Sequence, residues 1–182
     1  MEVRDGSAGL PRSWSRVRGD LLDVNIWLAL SQPKHPQHAL VQAYWQQTLA
    51  QFAQEHAEQD ESSAVPSKLY FCRTSMLGLV RLLSQTAVVY GQPISLREAF
   101  ASYERYRLME EVGFLVEDAE RVDAMLSAKL TSRHALTARV STDVYLAALA
   151  QEMNLRLVTM DRDFKRFDLP NCLILGEEPA TP

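Results

Sequence analysis

Apolar positions along this chain fall into two alternating periods. Short apolar runs occur at "DLLDVN", "KLYFC", "GFLVE", "LRLVTM" and "NCLILG", each bounded by turn or cap formers, and they read as buried strands. Between them the spacing lengthens to that of helices. "IWLALS" starts one after Asp23 and Asn25, and Pro33 and Pro36 stop it. Residues 39–58 carry Leu40, Tyr44, Leu49 and Phe52 on one face and glutamines on the other. "RTSMLGLVRLLSQ" continues the pattern through Met76, Leu79, Val80 and Leu83, with Thr74 or Ser75 placed to cap it. "YGQP" reads as a turn. Ser95 and Glu98 form a capping box that opens "SLREAFASYERYRLMEE" as a helix. "DAERVDAMLSAKL" is amphipathic, and Thr142 stands where it could cap "DVYLAALAQEM", which ends at Asn154. Strands alternating with helices predict an α/β fold with an open, mainly parallel sheet and helices on both faces.

The boundaries follow from composition. Residues 1–19 carry Gly, Ser, Pro and four arginines without periodicity and read as a flexible leader; 20–178 read as a single domain, and 179–182 as a tail. A chain of 182 residues that is 47% hydrophobic suffices for one well-buried domain. The formal charge of −4 argues against coating nucleic acid through a bulk basic field, although a local basic patch stays compatible with it. Cys72 and Cys172 lie in apolar runs and read as buried free thiols. No signal-like start and no apolar run of membrane-spanning length is present, so a cytoplasmic, reduced setting without membrane contact is expected.

Four carboxylates stand out because each follows or opens an apolar element: Asp23, Asp143, Asp161 and Asp163. Each alone has a plain reading as a helix cap or turn residue. Strand ends and helix starts of an α/β domain are also where such sheets open their ligand crevice. Several Asp side chains brought together there would suit a hard divalent cation, which takes oxygen ligands and keeps part of its water.

The order "LLDVNIWLAL", "FCRTSMLGLVRLL", "STDVYLAALA", "LVTMDRDFKRF" resembles the PIN-domain family, and within it the VapC-type toxins of bacterial toxin–antitoxin pairs. The last two motifs are the most specific. The resemblance extends from Leu21 to Gly176 and implies a three-layer α/β/α fold with a central, mainly parallel sheet. It further implies a Mg²⁺-dependent endoribonuclease, with Mn²⁺ as the alternative ion, restrained by a cognate antitoxin and forming a homodimer. Carried over by motif, Asp23, Asp143 and Asp161 would hold the metal and serve catalysis. Asp163 would bind it through water or brace the loop, and Asn25 and Thr142 would orient the ligands. One position departs from the family. The Glu that many PIN nucleases carry early in the helix after the second strand falls on Met76, and no acid lies between Glu61 and Glu98. Weaker metal affinity, a one-metal mechanism and a degenerate domain that binds RNA or protein without cutting are all compatible with that.

Arg73, Arg81, Arg162, Lys165 and Arg166 are candidates for RNA phosphate, against the plainer reading of solvated surface. His35, His38, His56 and His134 have no metal-ligand spacing with the aspartates. Trp27, Tyr44 and Trp45 are expected in the core before any interface. A phosphatase of the haloacid-dehalogenase type would need an Asp where Asn25 stands. A receiver domain would need an acidic pair near Asp23.

Overall fold

The structure is a computed structural model that describes residues 18–58, 66–85, 92–132 and 137–177. The first strand, β1 (Gly19–Leu22), leads into α1 (Val24–Ser31) and α2 (His38–Glu58). Strand β2 (Lys68–Phe71) is followed by α3 (Arg73–Leu83) and α4 (Leu96–Arg107), and β3 (Val112–Phe114) by α5 (Ala119–Ser132) and α6 (Ser141–Glu152). Strand β4 (Arg156–Thr159) passes through a 3-10 turn (Arg162–Phe167) to β5 (Cys172–Ile174). All neighbouring strands are parallel, in the order β3-β2-β1-β4-β5.

That order fixes the layers. Crossovers between parallel strands are right-handed, so helices change face when the direction of strand addition reverses. From β1 to β3 the chain adds strands one way, and it then crosses back to β4 on the far side of β1. The side chains respect the split, because successive residues of a strand point to opposite faces. Leu22, Leu69, Phe71 and Val158 pack with the apolar faces of α1 to α4. Leu21, Tyr70 and Leu157 pack with α5, α6 and the phenylalanines Phe164 and Phe167 of the 3-10 turn.

Trp27 is fully buried and stacks on Phe71, with centroids 3.6 Å apart and planes 12° from parallel. Tyr44 is buried and Trp45 half-buried, so this aromatic group belongs to the core and its edge. Gly78 lets α3 approach α1: a Cβ there would meet Val24 Cγ2 at 2.9 Å. Gly19 has φ +127°, and a Cβ on it would strike the Lys68 carbonyl oxygen at 1.9 Å.

Several boundaries differ from those the sequence suggested. The ordered strand starts at Gly19, one residue before the expected start at Asp20. The N-cap of α3 is Cys72, not Thr74 or Ser75. Its thiol accepts from the Ser75 N–H at 3.5 Å, and Ser75 Oγ accepts from the Cys72 N–H at 3.0 Å. Helix α4 ends at Arg107 rather than running to Glu111, and β3 then begins at Val112. Thr142 does not cap α6, which begins at Ser141 behind a short 3-10 turn (Ala138–Val140) and has Val140 as its N-cap. The Ser95–Glu98 box caps α4 as expected. The segment 59–65, Tyr90 and Gly91 of "YGQP", His134 and the proposed leader and tail lie outside the described residues, except for Arg18 and Gly19. Cys72 is buried and Cys172 only half-buried; both are free.

At the entry end of β1, Asp20 is 2% exposed yet ionically satisfied. Arg156, its cross-strand neighbour on β4, donates from Nε to Oδ1 at 2.8 Å and from a terminal nitrogen to Oδ2 at 2.6 Å, and Tyr44 donates its hydroxyl to Oδ2 at 2.5 Å. Burial first and then the Asp20 charge hold the Tyr44 hydroxyl far above its ordinary pKa, so it stays a donor. Asp20→Ala would leave Arg156 unpaired. Because Arg156 keeps contact with water, the expected loss lies at the low end for a broken buried pair, about 2–3 kcal/mol in urea unfolding. An unchanged midpoint and slope would show that the pair does not staple β1 to β4.

Candidate metal and phosphodiester site

The ends of β1 and β4 are neighbours, and the sheet reverses its order of strand addition between them. Doubly wound sheets open a ligand crevice at such a point, beyond the carboxyl ends of the strands. Asp23 leaves β1 there. Its backbone is extended (φ −64°, ψ 157°), its N–H reaches the Val158 carbonyl oxygen at 2.9 Å, and its carboxylate caps α1 by accepting from the Val24 N–H at 2.6 Å. The capping role and a ligand role are compatible, because that bond occupies one lone pair of Oδ1.

Oδ2 of Asp23 accepts from two side chains, Asn25 Nδ2 and Thr159 Oγ1, each at 2.7 Å. Thr159 ends β4 and is completely buried. Its hydroxyl donates to Asp23 and accepts from Asn25 Nδ2 at 3.0 Å and from the Asp161 N–H at 3.0 Å, which uses its one proton and both lone pairs. Asn25 Oδ1 also accepts from the Met160 N–H at 3.3 Å. One hydroxyl thus fixes the carboxylate at the end of β1 and the backbone that carries Asp161. Thr159 was absent from the sequence candidates. Its signal was a hydroxyl residue closing an otherwise apolar strand one position before "MD".

Asp161 is exposed and caps the 3-10 turn, accepting from the Asp163 N–H at 2.8 Å. Asp143 lies in the first turn of α6 and is half-buried, where the helix N-terminus favours negative charge. Thr142 beside it is exposed. Among the described residues, Asp23 draws its hydrogen bonds from Val24, Asn25 and Thr159 and not from Thr142.

These carboxylates share one electrostatic field. Burial pushes the Asp23 pKa up from 3.8 to about 6; the hydrogen bonds from Thr159 and Val24 oppose the rise, and the charges of Asp143 and Asp161 add to it. Asp143 is raised as well, by burial first and then by Asp161, with Arg166 opposing and Asp163 reinforcing. Among the described residues, no three His, Cys, Asp or Glu side chains close tightly enough to enclose an ion as they stand. The donors nevertheless fit a hard cation that keeps several waters: they are all oxygens, they repel one another, and among the described residues no cation pairs directly with Asp23.

Four of the five basic candidates have partners within the chain. Arg162 and Lys165 both reach Glu177, at 3.4 and 2.8 Å, and Arg166 pairs with Asp163 at 2.5 Å. Arg73 lies over the Phe114 ring at 4.8 Å, and Arg81 is exposed in the last turn of α3. Met76 is 4% exposed and packs in the apolar cluster of α1 to α4. His38 Nδ1 lies 2.7 Å from the Ala29 carbonyl oxygen, away from the aspartates.

Comparison with known proteins places the chain by family and fold. The family model for the PIN domain matches residues 21–169. Ribonuclease VapC41 of Mycobacterium tuberculosis is 30% identical over 150 residues, which cover 81% of this chain and 92% of that protein. Among solved structures, VapBC2 from Rickettsia felis, bound to a DNA fragment from its promoter, superposes with a TM-score of 0.59 at 14% identity, covering 86% of this chain and 98% of that one. Mycobacterium tuberculosis VapC20, a Sarcin-Ricin loop cleaving toxin, superposes with a TM-score of 0.54 at 15% identity, covering 83% and 96%. The chain belongs to the PIN-domain family, and within it to the VapC-type proteins.

Proposed function

We propose that this protein is a divalent-metal-dependent endoribonuclease, a VapC-type toxin that hydrolyses RNA phosphodiester bonds and is restrained by a cognate antitoxin. The observation that carries the reading is the meeting of the carboxyl ends of β1 and β4, where Asp23 is buried in the field of Asp143 and Asp161 with no paired cation among the described residues. Its relative VapC41 is named a ribonuclease, and VapBC2 is a toxin–antitoxin assembly. Asp23, Asp143 and Asp161 would hold Mg²⁺, or Mn²⁺ in its place. When bound, the ion supplies a Lewis acid for the phosphoryl oxygens and charge stabilisation for the leaving oxygen. The chain's own part is to orient: Asn25 and Thr159 fix the Asp23 carboxylate, and Thr159 fixes the backbone at Asp161. Asp163 serves as a brace, through its N–H to Asp161 and its carboxylate to Arg166.

A second reading, an RNA- or protein-binding PIN domain that does not cut, is favoured by one observation. Met76 fills the place of the family's Glu with an apolar side chain inside the core. Purified protein with Mn²⁺ separates the two. Cleavage of RNA that Asp143→Asn lowers by about 100-fold or more, the scale of removing a group that stabilises developing charge, supports the nuclease. A wild type no more active than that variant on varied RNA supports the binder.

The raised pKa of Asp23 also predicts how metal-free stability varies with pH. The folded state holds the Asp23 proton up to about pH 6, whereas an unfolded Asp releases it near 3.8. Between those values the folded state binds more protons, so Asp23 costs stability above about pH 6 and the cost disappears as pH falls toward 4. Asp23→Asn lacks this titration. From about pH 4 to about pH 8, metal-free wild type should therefore lose about 1–3 kcal/mol relative to the variant. Parallel stability curves in urea would contradict the buried, uncompensated charge.

A further inference from the structure

Arg162 and Lys165 stand on the 3-10 turn that follows Asp161, and both reach the same atom. Arg162 Nε lies 3.4 Å, and Lys165 Nζ 2.8 Å, from Oε1 of Glu177 just past β5. Two cationic donors converging on one anionic oxygen make the arrangement that a phosphate oxygen accepts. Glu177 is an internal anion filling it. The side chains of Arg162 and Lys165 are 73% and 63% exposed, whereas that of Glu177 is 24% exposed, so the cations stand in solvent and the acid lies against the domain. Ion pairs this exposed contribute little to stability, so a backbone phosphodiester, which carries the same single negative charge, can exchange with the carboxylate. The pair also stands beside an acid of the candidate site, on the 3-10 turn that Asp161 caps. Arg166 is different, being held by Asp163.

Building on the ribonuclease reading, we propose that Arg162 and Lys165 form a subsite for an RNA backbone phosphate beside the aspartates, and that Glu177 is its built-in counter-ion, displaced when RNA binds. In the free protein the acid keeps two basic side chains from drifting onto Asp161 and Asp163, which adjoin them in sequence. With RNA bound, the same cations neutralise the backbone next to the crevice. The net charge of −4 fits this economy, because phosphate affinity is confined to one place.

The test is fluorescence anisotropy with a labelled oligo(U) of about 20 nucleotides, with Ca²⁺ replacing Mg²⁺ and across a range of salt concentrations. Glu177→Gln should bind about 3–10-fold more tightly at low salt, because the cations no longer have to leave an anion. Its dependence on salt should steepen by about 0.7 in the logarithmic slope, the share of one further neutralised phosphate on a single strand. Both changes should vanish in an Arg162→Ala/Lys165→Ala background. Equal or weaker binding by Glu177→Gln would overturn the proposal, as would a gain that persists without the two cations. No binding of oligo(U) by wild type would also overturn it, because a backbone-phosphate site does not depend on base sequence. Cleavage by wild type in Mn²⁺, measured on the same preparation, tells the two levels apart. An active nuclease with no Glu177 effect loses the subsite alone, whereas an inactive wild type loses the ribonuclease reading beneath it.

Discussion

The hydrogen bond from Thr159 Oγ1 to Asp23 Oδ2, 2.7 Å long, joins the two strand ends on which the candidate site depends. It spans the point where the order of strand addition reverses, and the same hydroxyl receives the backbone N–H of Asp161. Without it the Asp23 carboxylate would keep only its Val24 cap and the contact with Asn25. A buried anion tolerates its position when hydrogen bonds replace lost water. Three donors do that for Asp23, and they do it incompletely, since its pKa still rises to about 6.

The two ends of β1 make an instructive pair. Asp20 and Asp23 are both almost fully buried, and both face β4. Asp20 meets the forked guanidinium of Arg156 and the Tyr44 hydroxyl, and acts as a structural staple. Asp23 is held by neutral donors instead, in the field of Asp143 and Asp161. A fold maintains such an uncompensated charge at a cost to its stability, and perturbed groups of this kind cluster where ligands bind. The contrast separates a paired acid from an unpaired one at the two ends of one strand, and it follows from the side chains that meet each of them.

Much of this was legible in the sequence because period and punctuation are local. Strand runs, proline stops and the Ser95–Glu98 box placed the elements, and Asp23, Asp143 and Asp161 marked the ends of elements that the topology brings together. What could not be read depends on neighbours distant in sequence. Thr159 is one strand residue among many until Asp23 lies across from it. The cap of α3 came from Cys72, a weak acceptor that propensity ranks low, because Ser75 returns the bond. Thr142 looked like a cap, yet the 3-10 turn before it moved the helix start and left it exposed. The basic cluster left RNA contact and solvated surface open as readings, and neither pointed to Glu177, past the last strand, which holds two of its members.

Met76 sharpens the chemical question. Its side chain packs with the apolar residues of α1 to α4, so the position at which the motif resemblance expects a further acid is core. On the proposed reading, aspartates from three separate elements would share the bound ion. Calorimetric Mn²⁺ titration of the RNA-free protein near neutral pH tests this most directly, comparing wild type with Asp143→Asn and Asp161→Asn. Saturable binding should weaken by about tenfold or more in each variant, as expected when one carboxylate leaves a shared site. Mn²⁺ affinity that is absent in the wild type, or unaltered in both variants, would contradict a shared metal site.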